Sequence, residues 1–287
     1  MMTVTDLSTN PNPTPAPAPA RTVVHKVTGP RVLRSEWAKF WSLRSTWITL
    51  GVAVFLLVLF GTIAAHTYSP DAVAGGRPGP GSDSGDSDAV SLALTGVTFA
   101  SLAMGVLGVL LSAGEYTTGM IRSTLTAVPR RLPVLWAKAA VIGPVALVLT
   151  AVGALAAFEF GAPGLDGTDI ALSLGDDGVL RSLAGAGLYL ALVAVFGVAL
   201  GMLIRSSAGA IAALVGILLI LPGLASLLPD SWDDTLSPYF PSNAGQAVYS
   251  LHESSGSLSP GAGLAVFAGW VALALVGAAG RLLRTDA

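Results

Sequence analysis

The sequence predicts an all-α integral membrane protein built on six transmembrane helices. Three observations carry that prediction. First, the 287-residue chain is 53% hydrophobic and only 11% charged, whereas an average soluble domain is about 25% charged. Too few polar groups remain to clothe a water-facing surface. Second, six apolar runs, at 46–65, 89–113, 133–158, 182–204, 208–228 and 260–280, each match the roughly 20 residues that a bilayer core requires. Third, the flanking charge changes sign from one connection to the next. Segments 1–45, 114–132 with Lys138, Arg205 and 281–287 hold 13 of the 15 Lys and Arg but 4 of the 17 Asp and Glu. Segments 66–88, 159–181 and 229–259 hold only Arg77 and Arg181 beside 13 acids. The positive-inside rule then places both termini and the 114–132 connection in the cytoplasm, in a multi-pass protein of the cell membrane. Six spans require both ends on one side, and the charges agree.

Residues 1–29 form a Pro-rich cytoplasmic tail (PNPTPAPAPA). It has no apolar surface to bury and is expected to be disordered, with polyproline character around Pro11 to Pro19. It is not a secretory signal, because the first apolar run starts near residue 46 and is too long. The membrane domain covers 30–287. It opens on a stretch in which Leu33, Trp37, Phe40 and Trp41 recur at i, i+4, i+7 and i+8, one helical face. Arg34, Ser35, Lys39 and Ser42 fall mostly elsewhere. This predicts a basic amphipathic helix lying in the headgroup plane. The plainer alternative is an aromatic, basic flank that anchors the first span.

On the outer side, 66–88 is a Gly, Pro, Ser and Asp loop. Asp83, Asp86 and Asp88 invite a calcium reading, but the remaining ligands of an EF-hand are missing. A solvated acidic loop is expected there, and again at 159–181. The 229–259 loop differs, because Trp232, Tyr239, Phe240 and Tyr249 suit a membrane interface and Pro238 and Pro241 punctuate it. Short helices that dip partly into the outer leaflet are expected there.

The spans read as uncharged inside, with Lys138 and Glu159 at the ends of the third. That speaks against an ion-driven carrier, although backbone sodium sites stay open. Gly197 and Gly201 on the fourth span are spaced for close helix approach, either within the chain or at a dimer seam.

Enzymatic chemistry has no support. There is no phosphate-binding G-x-x-x-x-G-K-[ST] loop and no G-x-S-x-G elbow. His25, His66 and His252 are scattered, no carboxylate pair falls in an apolar setting, and there is no cysteine. No cofactor, metal or nucleic-acid partner is expected. With no ATP site of its own, any energy for transport has to come from a partner.

The stretch 112–138 is the place for such a partner. Gly114 and Glu115 sit where the second span ends, followed by Tyr116 and a polar turn at 117–119. Met120, Ile121, Thr124, Leu125 and Val128 form an apolar stripe, hence a short amphipathic helix that Pro129 terminates. Arg130 and Arg131 follow on the cytoplasmic side. An ordinary positive-inside loop is the alternative.

Several segments taken together resemble one family. They are Glu36-Trp37-Ala38-Lys39 and Ser42-Leu43-Arg44-Ser45-Thr46-Trp47 at the N-terminal helix, and Gly114-Glu115-Tyr116, Gly119-Met120-Ile121-Arg122 and Val128-Pro129-Arg130-Arg131 in the central stretch. Pro238-Tyr239-Phe240-Pro241-Ser242-Asn243-Ala244-Gly245-Gln246 completes the set. In order and placement they resemble the permease subunits of ABC-2 type ABC transporters, in the form common in high-GC Gram-positive bacteria. The resemblance implies six helices, an amphipathic connecting helix over 30–44, and a cytoplasmic coupling helix between spans two and three. It implies that Glu115, Gly119, Met120, Ile121, Arg122, Leu125, Arg130 and Arg131 form the segment that docks in a separate ABC-type ATPase. It implies a second permease copy and re-entrant helices between Trp232 and Tyr249. The expected function is export of an amphiphilic substrate driven by that ATPase. The alternatives are an ion-driven secondary carrier and a non-transporting membrane anchor or immunity protein.

Overall fold

A computed structural model describes residues 28–69, 88–121, 132–225, 235–252 and 256–284. Among them all regular structure is helical. Helix α1 (Gly29–Ser42) is separated from α2 (Arg44–His66) by Leu43 alone. The chain continues through α3 (Ala89–Ala93), α4 (Val97–Thr117), α5 (Leu132–Gly161) and α6 (Val179–Ile204). Helix α7 (Ser207–Val215) runs through a π-helical turn, Gly216–Ile220, into α8 (Leu221–Ala225). Helices α9 (Pro241–Tyr249) and α10 (Pro260–Arg284) complete the chain. Six helices are long and apolar enough to cross a membrane: α2, α4, α5, α6, the α7–α8 run and α10. The end of the bundle carrying Lys138, Arg205 and Arg281 is called the basic end below, and the opposite one the acidic end.

The expected spans are recovered with altered boundaries, each for a local reason. The second one is broken. Asp88, read from sequence as part of an acidic loop, is the N-cap of α3. Its Oδ1 accepts from the Ser91 N–H at 2.6 Å, and the Asp88 N–H donates to Ser91 Oγ at 3.1 Å. This capping box starts a helix that stops after Ala93, and α4 begins only at Val97. Gly96 lies between them, where a Cβ would strike the backbone of Leu57 in α2. At its other end α4 runs on to Thr117, so Gly114 and Glu115 are helical. Likewise α5 carries Lys138 inside its second turn and extends to Gly161. Lys138 thus lies near the end of that span, as expected, but it is buried, 6% exposed.

Helix α6 is the axis of the bundle. Residues such as Leu190, Ala194 and Val198 are fully buried along it, and α4, α5 and α10 pack around it. The approach to α4 is made by glycine on both sides. A side chain at Gly108 would strike the Ala194 carbonyl, and one at Gly197 would strike the Gly105 carbonyl. Gly201 meets Ser112 and Val109 in the same way. Gly197 and Gly201 thus serve packing within the chain. In hydrocarbon, where apolar surface gains nothing by leaving lipid, such backbone approach is a main source of attraction between helices. Thr150 of α5 adds a polar tie, its buried hydroxyl 2.7 Å from the Ala146 carbonyl and 3.2 Å from that of Gly187 in α6. The outward surface is apolar, with Phe55, Val148, Leu273 and Val276 all exposed.

At the acidic end, the 229–259 region contains a 3-10 turn, Ser237–Tyr239, followed by α9. The short helices expected there are present, and Trp232 lies outside the described residues. Gly245 of α9 rests on the Tyr189 ring, and Tyr189 packs against Phe267 with ring centroids 5.1 Å apart. The Arg181 guanidinium donates to the carbonyls of Ser250 and Leu251 at 2.9 and 3.2 Å, which fixes the end of α9 to the start of α6.

Gly108→Leu is expected to destabilise the fold by more than about 1–3 kcal/mol, the usual cost of overpacking, because backbone rather than a yielding side chain blocks the space. A Cβ at Gly269 would instead meet open space, and Gly269→Leu is expected to change little. Thermal unfolding of the two detergent-solubilised variants, followed by tryptophan fluorescence, checks the contrast.

Candidate functional site

Four charged side chains converge at the basic end. Helix α1 packs on the bundle through Val32, Glu36 and Phe40, spaced i, i+4 and i+8, so a carboxylate occupies the middle of its buried face. Helix α4 presents Glu115 on the same side as buried Gly108 and Ser112. Helix α5 presents Lys138 on the side of Val134 and Val141. Each charge therefore sits in the buried register of an otherwise apolar helix face. The three are brought together by packing, and Lys39 joins them from the edge of α1.

Lys138 is the centre. Its ammonium donates to Glu36 Oε2 at 2.7 Å, to Glu115 Oε1 at 2.8 Å and to the Leu111 carbonyl at 3.1 Å. All three N–H groups are used. Lys39 donates to Glu36 Oε1 at 2.8 Å and to Glu115 Oε1 at 3.0 Å. Lys138, Glu36 and Glu115 are almost wholly buried, whereas the Lys39 side chain is 29% exposed. Burial draws the Lys39 pKa down, but the hydrogen bonds and charges of Glu36 and Glu115 outweigh it and hold the ammonium above its ordinary value. Two carboxylates and two ammoniums leave no net charge. Among the described residues, Glu115 Oε2 is buried without a donor.

A second tie lies nearby. Arg205 closes α6 in the left-handed region, with φ 61°, the single non-glycine residue at positive φ among those described. Its guanidinium lies over the Tyr116 ring, 5.3 Å from the centroid, and reaches the Arg281 carbonyl of α10 at 3.4 Å. Helices α4, α6 and α10 are thereby joined beside the cluster.

The sequence-predicted residues are distributed as follows. Glu115 is in the cluster. Gly119 makes the left-handed turn just after α4, with φ 72°, where a side chain would be strained. Beyond it Met120 is exposed and Ile121 is buried. Arg122, Leu125, Arg130 and Arg131 lie outside the described residues. On α1 the predicted apolar face divides. Phe40 is buried, while Leu33, Trp37 and Trp41 point outward at 42%, 45% and 58% exposure. The outward tryptophans form a continuous belt, Trp37 on Trp41 at 5.8 Å and Trp41 on Trp47 of α2 at 4.7 Å.

Glu36, Lys39 and Lys138 are the site residues that sequence reasoning missed. The expectation that no carboxylate pair falls in an apolar setting is overturned by Glu36 and Glu115, which are distant in sequence and share Lys138. The signal was present on α1, where Glu36 sits between Val32 and Phe40 on one face. The larger tryptophan face obscures it. Among the described residues, no group of three or more His, Cys, Asp or Glu is placed to hold a metal ion. Comparison with protein-family models and with curated proteins gives no match.

Removing one partner from this cluster should cost far more than removing both. Lys138→Met is expected to destabilise by about 3–5 kcal/mol, because it strands two carboxylates in a low-dielectric site. Adding Glu115→Gln to it should restore part of that loss. Lys39→Ala should cost about 1 kcal/mol or less, given its exposure. Denaturant titration in mixed micelles orders the three variants.

Proposed function

We propose that the chain is the membrane-spanning permease subunit of an ATP-driven ABC exporter of the ABC-2 type. In this reading it moves an amphiphilic substrate outward, uses a separate cytoplasmic ABC-type ATPase, and works beside a second permease copy. It resides in the cell membrane with both termini in the cytoplasm. Helix α1 lies in the headgroup plane with Leu33, Trp37 and Trp41 toward lipid. The segment from Glu115 to Arg131 docks on the ATPase, with Arg122, Arg130 and Arg131 holding register.

The observation that supports this reading most is the position of the charge cluster. Helix α4 ends at Thr117, two residues after Glu115, and Met120 borders the same cavity as Glu115 and Lys138. A displacement of that connection reaches Glu115 first. Lys138 passes it to α5, and Glu36 passes it to α1, since both carboxylates share the one ammonium. A loop that only joins two spans has no need of such a joint. Ile121 is buried within the chain and Met120 is exposed, so in this reading Met120 and the arginines make the contact with the ATPase.

Arg122→Glu and Arg131→Glu are expected to abolish capture of an ABC ATPase, identified by its phosphate-binding-loop peptide, on the affinity-tagged chain. They are also expected to abolish stimulation of its ATP hydrolysis. Retention of both overturns the docking assignment. An ion-driven carrier would instead keep transporting without the ATPase and respond to a proton or sodium gradient. A non-transporting anchor would bind its partner and move nothing in vesicles.

The topology has its own test. The chain has no native cysteine. Thr117→Cys at the basic end and Asp177→Cys at the acidic end are both exposed positions. In intact cells a membrane-impermeant maleimide is expected to label only the latter.

A further inference from the structure

Helix α1 presents its side chains in ridges spaced i, i+4 and i+8. One ridge, Val32, Glu36 and Phe40, is buried on the bundle. The next, Leu33, Trp37 and Trp41, is apolar and exposed. Beside it runs a third, Arg34, Ala38 and Ser42, also exposed. The aromatic ridge joins the flank of α2. Trp41 packs on Trp47 at 4.7 Å, and the Trp47 indole N–H donates to the Trp41 carbonyl at 3.3 Å. Further along α2, Ile48, Val52 and Phe55 are exposed. The ridge therefore continues the outward apolar surface of a helix long enough to cross a membrane. Two arginines border this surface. Arg34 lies two turns before Trp41 on α1, and Arg44, the first residue of α2, lies one turn before Ile48.

The sign of the charge on this surface is set by what the bundle has taken away. Glu36 is the one acid between residues 29 and 44. It is turned inward and held by Lys39 and Lys138. Arg34 and Arg44 stay outside, both exposed, and among the described residues neither has an ion pair. We propose that this surface selects anionic lipid from the leaflet at the basic end, with the aromatic ridge at the acyl boundary and Arg34 and Arg44 on headgroup phosphates. Such selection rests on α1 lying in the headgroup plane and needs neither an ATPase nor a cargo. An arginine at the edge of an apolar helix face lays its stem along that face and carries its guanidinium to phosphate depth. A zwitterionic lipid brings a phosphate already accompanied by its own cation. An anionic lipid brings net charge, which two exposed guanidiniums attract. Had Glu36 faced outward, it would have cancelled one of them.

The test uses the full chain in nanodiscs of phosphatidylcholine with a minority of phosphatidylglycerol. Bromine, a contact quencher, is carried on the phosphatidylglycerol chains or on an equal fraction of the phosphatidylcholine. The chain has no native cysteine, so Leu33→Cys on the aromatic ridge takes a single bimane fluorophore. Ile63→Cys, exposed near the other end of α2, takes it in the control. Quenching at position 33 is expected to report roughly fivefold enrichment of phosphatidylglycerol for each arginine, and quenching at position 63 none. Arg34→Gln with Arg44→Gln is expected to bring position 33 to the control value. Arg34→Lys is expected to keep the preference, and added salt to weaken it. Equal quenching by the two lipids at position 33 overturns the selection while leaving α1 at the interface. Absence of quenching by either lipid takes α1 out of the interface and overturns the proposal with it. Equal preference at both positions, or preference that survives the double substitution, places the anionic site elsewhere and overturns it as well.

Discussion

The shared ammonium of Lys138 is the interaction on which the basic end of the molecule depends. Held on α5, it contacts carboxylates from α1 and α4, at 2.7 and 2.8 Å, and a backbone carbonyl of α4. A charge in a low-dielectric setting is tolerated only with its partners in place. The three helices therefore cannot slide or rotate independently without stranding a charge. Helix α1 buries only Val32, Glu36 and Phe40 of its 14 residues, so Glu36 is a large part of its hold on the bundle.

The rest of the bundle is held differently. Along α6 the attraction comes from backbone brought close by Gly108, Gly197 and Gly201. That packing is tight and unspecific in sign, so it stabilises without selecting one partner over another. The α7–α8 run lies at the other extreme. Among its described side chains it buries Ala210, Leu214 and Leu218, a single stripe, and it passes through a π-helical turn. Rigidity is therefore concentrated at the axis and at the charge cluster, and the periphery is loosely held.

Much of this architecture was legible in sequence, and the exceptions have physical causes. Six helices followed from apolar length alone, because hydrocarbon imposes that length. The break between α3 and α4 did not, since Leu94, Thr95 and Gly96 are compatible with an apolar span and only the Asp88 cap and the approach of Leu57 show why the helix stops. Trp37 and Trp41 were recognisable as members of one aromatic face, and both are exposed. The face opposite them was not, because a carboxylate on a helix is read as solvated unless its partner is known. Glu36 and Lys138 are 102 positions apart, and Lys138 near the end of a span resembles any flanking positive charge. Glu115 was singled out, but for its place before a connection and not for its ion pairs.

Why charge is used at this joint follows from the solvent. Between two helices in lipid, apolar contacts gain little over contacts with acyl chains. A helix in the place of α1 that offered only apolar residues to the bundle would have two apolar faces, either of which could turn inward. Its Trp37 and Trp41 face would suit either. Glu36 removes the ambiguity, because only one rotation of α1 brings it to Lys138, and the opposite rotation would turn the carboxylate outward and leave the buried Lys138 short of a partner. Replacing the cluster with leucines could leave the bundle equally stable. It would not specify which face of α1 turns inward, and the segment after Glu115 would lose its fixed connection to α1.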